Sequence, residues 1–222
     1  GGIGMAQALG VILKGKNGKE LERGGIELSK LNSIDMSKLD PRLKKIQIDV
    51  ALNANNILTG PNGVARVYGP QKGANLNQVE EMAQAFDNFA KIVLKDIGVD
   101  VALIKGGGAS GGLGAGLYAF LGANLRPRFD LVLQYLGLEN VLPKVNLIVT
   151  AEGSIDYQTP KGKVPVLLAN IAKKYDIPVV VLAGIIGEGA RDNYTAGISA
   201  FESIMDGPTS LENAIKNGHI LL

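Results

Sequence analysis

The chain has 222 residues, of which 46% are apolar and 20% charged, enough to bury a core and to form one or two domains. Its net charge of +2 is too small to point to nucleic acid or a membrane surface, and neither is an expected partner. With no cysteine it has no disulfide framework, thiolate metal site or thiol nucleophile, which fits a cytoplasmic protein.

No apolar run reaches the roughly 18 residues of a membrane span, and no signal peptide is read at the start. Aromatic residues are 5% and tryptophan is absent, so the core must be aliphatic, while 30 glycines suggest many turns and backbone-lined sites. The opening Gly1-Gly-Ile-Gly reads as a loop running into a helix already under way, and the chain is expected to be cut from something longer.

In chain order, Gly10 to Glu22 reads as a strand pair around the hairpin signal Asn17-Gly18. Ile34 to Leu43, with Asp40-Pro41, reads as turn. Ile46 to Val50 alternates like a half-buried strand. The polar segment 53–63 reads as a loop that is exposed or lines a cleft. Val64 to Tyr68 is predicted as a second strand, followed by a glycine loop with Lys72 at its tip.

Asn75 caps a long helix to Ile97. Gln78 completes a capping box, Gly98 is the stop, and Leu76, Val79, Met82, Phe86, Phe89, Val93 and Ile97 form one core face. Val101 to Ile104 is predicted as a buried strand, and Leu131 to Leu138 as helical. Beyond residue 145 the pattern is strand at Leu147–Thr150, helix at Val164–Tyr175, strand at Val179–Ala183, helix at Arg191–Ala196 and strand at Ile198–Met205. A last helix opens on the box Thr209-x-x-Glu212. Such alternation with short loops means parallel βαβ units. A three-stranded piece is small and wants more strands from elsewhere.

Two stretches carry chemistry. From Lys105 to Gly116, seven of twelve residues are glycine. A glycine run that opens a helix presents backbone N–H groups and the positive end of the helix dipole, which suits a phosphate. Gly106, Gly107, Gly108, Ser110, Gly111 and Gly112 are therefore candidate phosphate or substrate contacts. The bland alternative is that these glycines only permit close packing.

The spacing Gly106, Gly108, Gly111 with Asp130 also fits a dinucleotide fingerprint, but no strand is expected before Asp130, so a nicotinamide-dependent oxidoreductase is a distant alternative. The second stretch is Ala151 to Lys163, just past a strand end, where α/β sheets bind ligands. Glu152 and Asp156, expected on a loop, supply carboxylates for Mg²⁺ or a substrate hydroxyl. Thr159, Lys161 and Lys163 lead into a helix start, where a lysine makes sense if an anion lies between. The bland alternative here is a solvated loop with Asp156 in an Asx-turn. Lys72 is either another anion contact or a turn-tip lysine. No P-loop, G-x-S-x-G or histidine pair occurs.

These residues resemble a family. The segments 106–116 and 68–74 (Tyr-Gly-Pro-Gln-Lys-Gly-Ala), together with Glu152-Gly-Ser-Ile-Asp-x-Gln-Thr-x-x-Gly-Lys163, look like bacterial glycerate kinases of the first class. Leu-Thr-Gly-Pro-Asn-Gly at 58–63 and Gly-Met-Ala-Gln-Ala-Leu-Gly at 4–10 are similar too, so the likeness spans essentially the whole chain.

The resemblance implies a cytoplasmic transferase that phosphorylates D-glycerate with ATP and Mg²⁺, giving the 2-phosphate. Its catalytic residues would be Asp156, Lys163 and Glu152, with Asp156 on the metal. Lys72, Thr159 and the glycine loop would bind substrate or ATP. The implied fold is α/β with two domains: an inserted mixed-sheet domain at 1–145, and part of a flavodoxin-like or Rossmann-like parallel domain at 146–222.

Against the family pattern, an N-terminal strand with its Asp-Ser-Phe-Lys-Gly loop and part of the C-terminal end are missing. Asn53 and Asn55 stand where aspartates are usual, and Ala151 where glycine is. Asn53 and Asn55 remain binding candidates, but an amide carries no charge and takes no proton at neutral pH. The alternative is a relic that binds glycerate or nucleotide without turnover, with association into a homo-oligomer left open.

Overall fold

A computed structural model of the protein describes residues 1–52 and 55–221. The chain is a mixed α/β protein that divides into two compact units, Gly1–Leu131 and Val132–Leu222.

The first unit runs α1 (Ile3–Ala8), β1 (Ile12–Gly15), β2 (Leu31–Asp35), β3 (Asp49–Leu52), α2 (Val64–Tyr68), α3 (Leu76–Ile97), α4 (Ala109–Leu121) and β4 (Asn124–Pro127), and α5 (Arg128–Leu136) crosses the division. Helix α3 organises it. The Asn75 side chain accepts the Gln78 N–H while the Gln78 side chain accepts the Asn75 N–H, and Gly98 ends the helix in the left-handed conformation. Val79, Phe86, Phe89 and Val93 are buried on its apolar face, but Leu76 is 82% exposed, because the first turn projects beyond the core. Phe89 meets Phe120 of α4 with ring centres 6.1 Å apart. Full burial of such a side chain contributes about 1.5–3 kcal/mol.

Four expectations for this unit fail, each through contacts distant in sequence. The segment 64–68 is helix rather than strand. Val64 and Ala65 are buried in the core shared with α3, and Arg66 pairs with Glu80 of α3 at 2.7 Å. Val101–Ile104 is not a strand: the Asp100 carboxylate accepts the Ala102 N–H at 2.9 Å, and the Ala102 carbonyl accepts the Thr59 N–H at 3.1 Å. These loop contacts satisfy the backbone without a ladder.

The true partner of β1 is β2, antiparallel, whose last residues Ile34 and Asp35 fall in the stretch expected to be turn. The Asn17-Gly18 turn exists, but its second arm makes only the bridge between Lys14 and Glu20. Finally, β4 does precede Asp130, pairing in parallel with β3. The strand demanded before the glycines by a dinucleotide fingerprint is the one that is missing.

The second unit runs α6 (Leu138–Val141), β5 (Ile148–Ile155), α7 (Val164–Ala172), β6 (Val179–Ile186), α8 (Asp192–Thr195), β7 (Ala200–Ser203) and α9 (Leu211–Leu221). Its sheet is parallel with order β5-β6-β7, as strand-helix alternation requires. Val166, Ala169 and Ala172 of α7 pack with Val179, Val181 and Ala183 of β6, together with Leu142 and Ile155.

Strand β5 continues five residues past the predicted Thr150, because its ladder with β6 extends to Ile155 opposite Ile186. Glu152 is therefore within a strand, opposite Ala183, and not on a loop. At α9 the Ser210 hydroxyl accepts the Asn213 N–H at 3.3 Å. No helix among the described residues is long and apolar enough to cross a membrane.

Candidate active site

Asp156 follows the last residue of β5, at the carboxyl edge of the parallel sheet, where α/β proteins bind ligands. Its carboxylate is 19% exposed. Oδ2 accepts the Ser154 hydroxyl at 2.9 Å, and Oδ1 accepts the Gln158 N–H at 2.8 Å. The Lys163 ammonium lies 3.4 Å from both oxygens and donates to the Ser154 carbonyl at 3.2 Å. The Ser154 hydroxyl foremost, then the Gln158 N–H, with the Lys163 charge adding to them, hold Asp156 below the usual carboxylate range.

Lys163 stands at the N-cap position of α7, an unfavourable place for a cation. The anion expected beside it is Asp156 itself, which offsets the dipole. The Gln158 contact is the Asx-turn of the bland reading, so structural and chemical roles coexist at Asp156. Thr159 is fully buried, and its hydroxyl accepts the Asp156 N–H at 3.0 Å. Lys161 lies 5.0 Å over the Tyr157 ring.

Among the described residues no group of three or more histidine, aspartate or glutamate side chains could hold a metal. A lone carboxylate still fits magnesium that arrives with a nucleotide, since Mg²⁺ keeps several waters and takes one or two carboxylates with substrate phosphates.

The first unit contains a cavity of about 360 Å³ whose walls include Leu52, Asn56, Val64, Lys72, Ser110 and Gly111. Tyr68 donates to the Asn56 side chain at 2.9 Å, and the Gly108 N–H donates to the Asn56 carbonyl at 2.9 Å. This brings the loop after β3 against the glycine run.

Within that run the two readings separate. Gly106, Gly107, Gly108 and Gly112 are buried. A Cβ at Gly108 would come within 2.3 Å of the Ile57 carbonyl oxygen, so this glycine serves close backbone approach. Ser110 and Gly111 instead face outward in the left-handed region, with φ of 52° and 71°. A non-glycine residue there is uncommon and stores strain, a feature of functional loops. Among the described residues neither N–H finds a backbone acceptor outside the helix, so both can meet a ligand at the cavity. Lys72 lines the same cavity and makes no ion pair among the described residues.

The structure thus gathers Lys72, Gly108, Ser110 and Gly111 at one cavity of the first unit, and Asp156, Thr159 and Lys163 at one strand end of the second. Asn53 lies outside the described residues, and Asn55 is exposed on the loop after β3. Ser154, Asn56 and Asn193 escaped notice in the sequence. Ser154 had a signal, being two residues before Asp156, the spacing that puts side chains of an extended chain on one side. The asparagines had none, because their partners are fixed by the fold.

A carboxylate and a lysine beside the end of a parallel strand, and a cavity edged by backbone N–H groups and a lysine, are features of proteins that handle phosphorylated ligands. The glycerate kinase family matches the chain over residues 1–222, and the chain belongs to that family.

Among its relatives, a glycerate kinase of Halalkalibacterium halodurans is 44% identical over 222 residues, covering 100% of this chain and 58% of the relative. A glycerate 2-kinase of Escherichia coli is 42% identical, covering 99% of this chain and 58% of the relative. A Salmonella typhimurium protein solved as glycerate kinase 2 superposes with a TM-score of 0.80 at 44% identity, covering 98% of this chain and 56% of that one. The chain therefore spans between half and two thirds of the length of these relatives.

Proposed function

We propose that the protein carrying this chain transfers the γ-phosphoryl group of ATP to D-glycerate, giving 2-phosphoglycerate and ADP in the cytoplasm. The observation that carries the reading is the Asp156–Lys163 pair at the carboxyl end of β5, with Lys163 3.4 Å from both carboxylate oxygens. A glycerate hydroxyl oxygen forms the new bond to phosphorus, the bond to the β–γ bridging oxygen breaks, and the hydroxyl proton is released.

Phosphoryl transfer of this kind asks for positioning and charge stabilisation more than for a strong base. That suits Asp156, because a carboxylate held below its ordinary range stays ionised and is a weak proton acceptor at neutral pH. Asp156 orients the hydroxyl and supplies the carboxylate for magnesium that comes with ATP. When bound, the ion offsets charge on the phosphates. In the second unit Lys163 neutralises phosphate charge and Thr159 holds the Asp156 backbone; in the first, Lys72 and the Ser110 and Gly111 N–H groups offer contacts to an anionic ligand.

An ATP-coupled assay with D-glycerate tests this, with ³¹P NMR of the product to distinguish the 2-phosphate from the 3-phosphate. Asp156→Asn should lower kcat by about 10²-fold or more. An undiminished rate removes Asp156 from the mechanism.

Asn53 and Asn55, where the family pattern has aspartates, favour a second reading, in which glycerate or nucleotide binds without turnover. Calorimetric titration separates the two: binding with no product supports the second reading, and turnover excludes it.

A further inference from the structure

We infer that Asn193 is a positioning residue that holds Asp156 in place from the neighbouring loop. Among the described residues three polar side chains are buried: Thr59, Thr159 and Asn193. Two of them, Thr159 and Asn193, both 0% exposed, bond the backbone of the same residue. Thr159 accepts the Asp156 N–H at 3.0 Å. The Asn193 amide donates to the Asp156 carbonyl at 3.1 Å and to the Ala190 carbonyl at 2.8 Å.

Among the described residues the Asn193 Oδ1 meets no donor, so the side chain is held for its two N–H groups. Alanine there would leave two carbonyls without that donor, and aspartate would set a carboxylate oxygen against them.

The rest of the loop after β6 works to the same end. Gly187 donates to the Ile155 carbonyl at 2.8 Å, and Tyr157 donates to the Glu188 carbonyl at 2.9 Å. A Cβ at Gly189 would lie 2.8 Å from the Tyr157 Cβ, so this loop lies directly against the main chain of 155–157. With both its N–H and its carbonyl gripped by buried side chains, Asp156 has its backbone fixed. Its carboxylate is then directed toward Ser154 and Lys163. The mechanistic weight of this inference rests on the function proposed above, while the geometry does not.

The first measurement needs no turnover. Acylation of Lys163 by an amine-reactive reagent is followed by peptide mass spectrometry in the full chain, with exposed Lys174 as reference. Asn193→Ala should raise Lys163 acylation severalfold and leave Lys174 unchanged, as Asp156→Asn should. Where turnover is measured, kcat should fall about tenfold, the worth of one buried hydrogen bond, with KM held within about twofold.

Should Asn193→Ala fail to fold, shown by all lysines reacting alike, Asn193→Ser carries the same test. Lys163 reactivity unchanged in a folded variant, or rising only in step with Lys174, overturns the proposal. So does an unchanged kcat where Asp156→Asn abolishes turnover. If Asp156→Asn leaves turnover intact, the proposed role of Asp156 fails instead, and the labelling still decides the role of Asn193.

Discussion

At the scale of single residues, Asp156 ties stability to pH. Its folded form holds the proton less tightly than an unfolded carboxylate, because the Ser154 hydroxyl, the Gln158 N–H and the Lys163 charge favour the ionised state. A lowered folded pKa stabilises the native state at pH above the unfolded value of about 3.9. That contribution is lost as pH falls through the lower folded value. The difference in unfolding free energy between the wild type and Asp156→Asn should therefore be constant from neutral pH to about pH 5 and shrink below about pH 4. Urea unfolding at a series of pH values measures it, and a difference that grows on acidification would show that the carboxylate is not held ionised by its neighbours.

At the scale of elements, the burial of α3 outweighs its capping. The Asn75–Gln78 box satisfies two N–H groups at an exposed end, and Asn75→Ala should cost about 1 kcal/mol. Phe89, with 0% exposure and the Phe120 ring beside it, fills the centre of the first core. Phe89→Ala should cost about 3–5 kcal/mol through lost transfer energy and the cavity left behind. The two variants compared by urea unfolding check the order, and equal costs would mean that α3 is held mainly by its ends. The same weighting explains α2. Its valines favour a strand by propensity, but the Arg66–Glu80 pair and the burial of Val64 and Ala65 hold it as a helix.

At the scale of the whole molecule, each unit carries candidate contacts of its own, Lys72 in the first and Asp156 with Lys163 in the second. The two should separate kinetically. Lys72→Met removes a charge that attracts phosphate or carboxylate and should raise KM for ATP or glycerate by about tenfold or more, with a smaller effect on kcat. Steady-state kinetics with each substrate varied in turn tests this, and unchanged constants would leave the first-unit cavity idle in the reaction.

What the sequence by itself determined is what local contacts govern. The ends of α3 follow from Asn75, Gln78 and Gly98, and the parallel pairing of β5, β6 and β7 from strand–helix alternation with short loops. The stretch from Glu152 to Lys163 was legible as a candidate site because its residues are close along the chain. Tertiary structure alone decided that 64–68 is helix, that 101–104 is not a strand, and that Gly108 packs while Ser110 and Gly111 face a cavity. It also decided that Asn193 grips Asp156 from 37 residues away. These outcomes depend on which distant groups come to bury or bond each backbone segment, and no pattern of three or four residues records that.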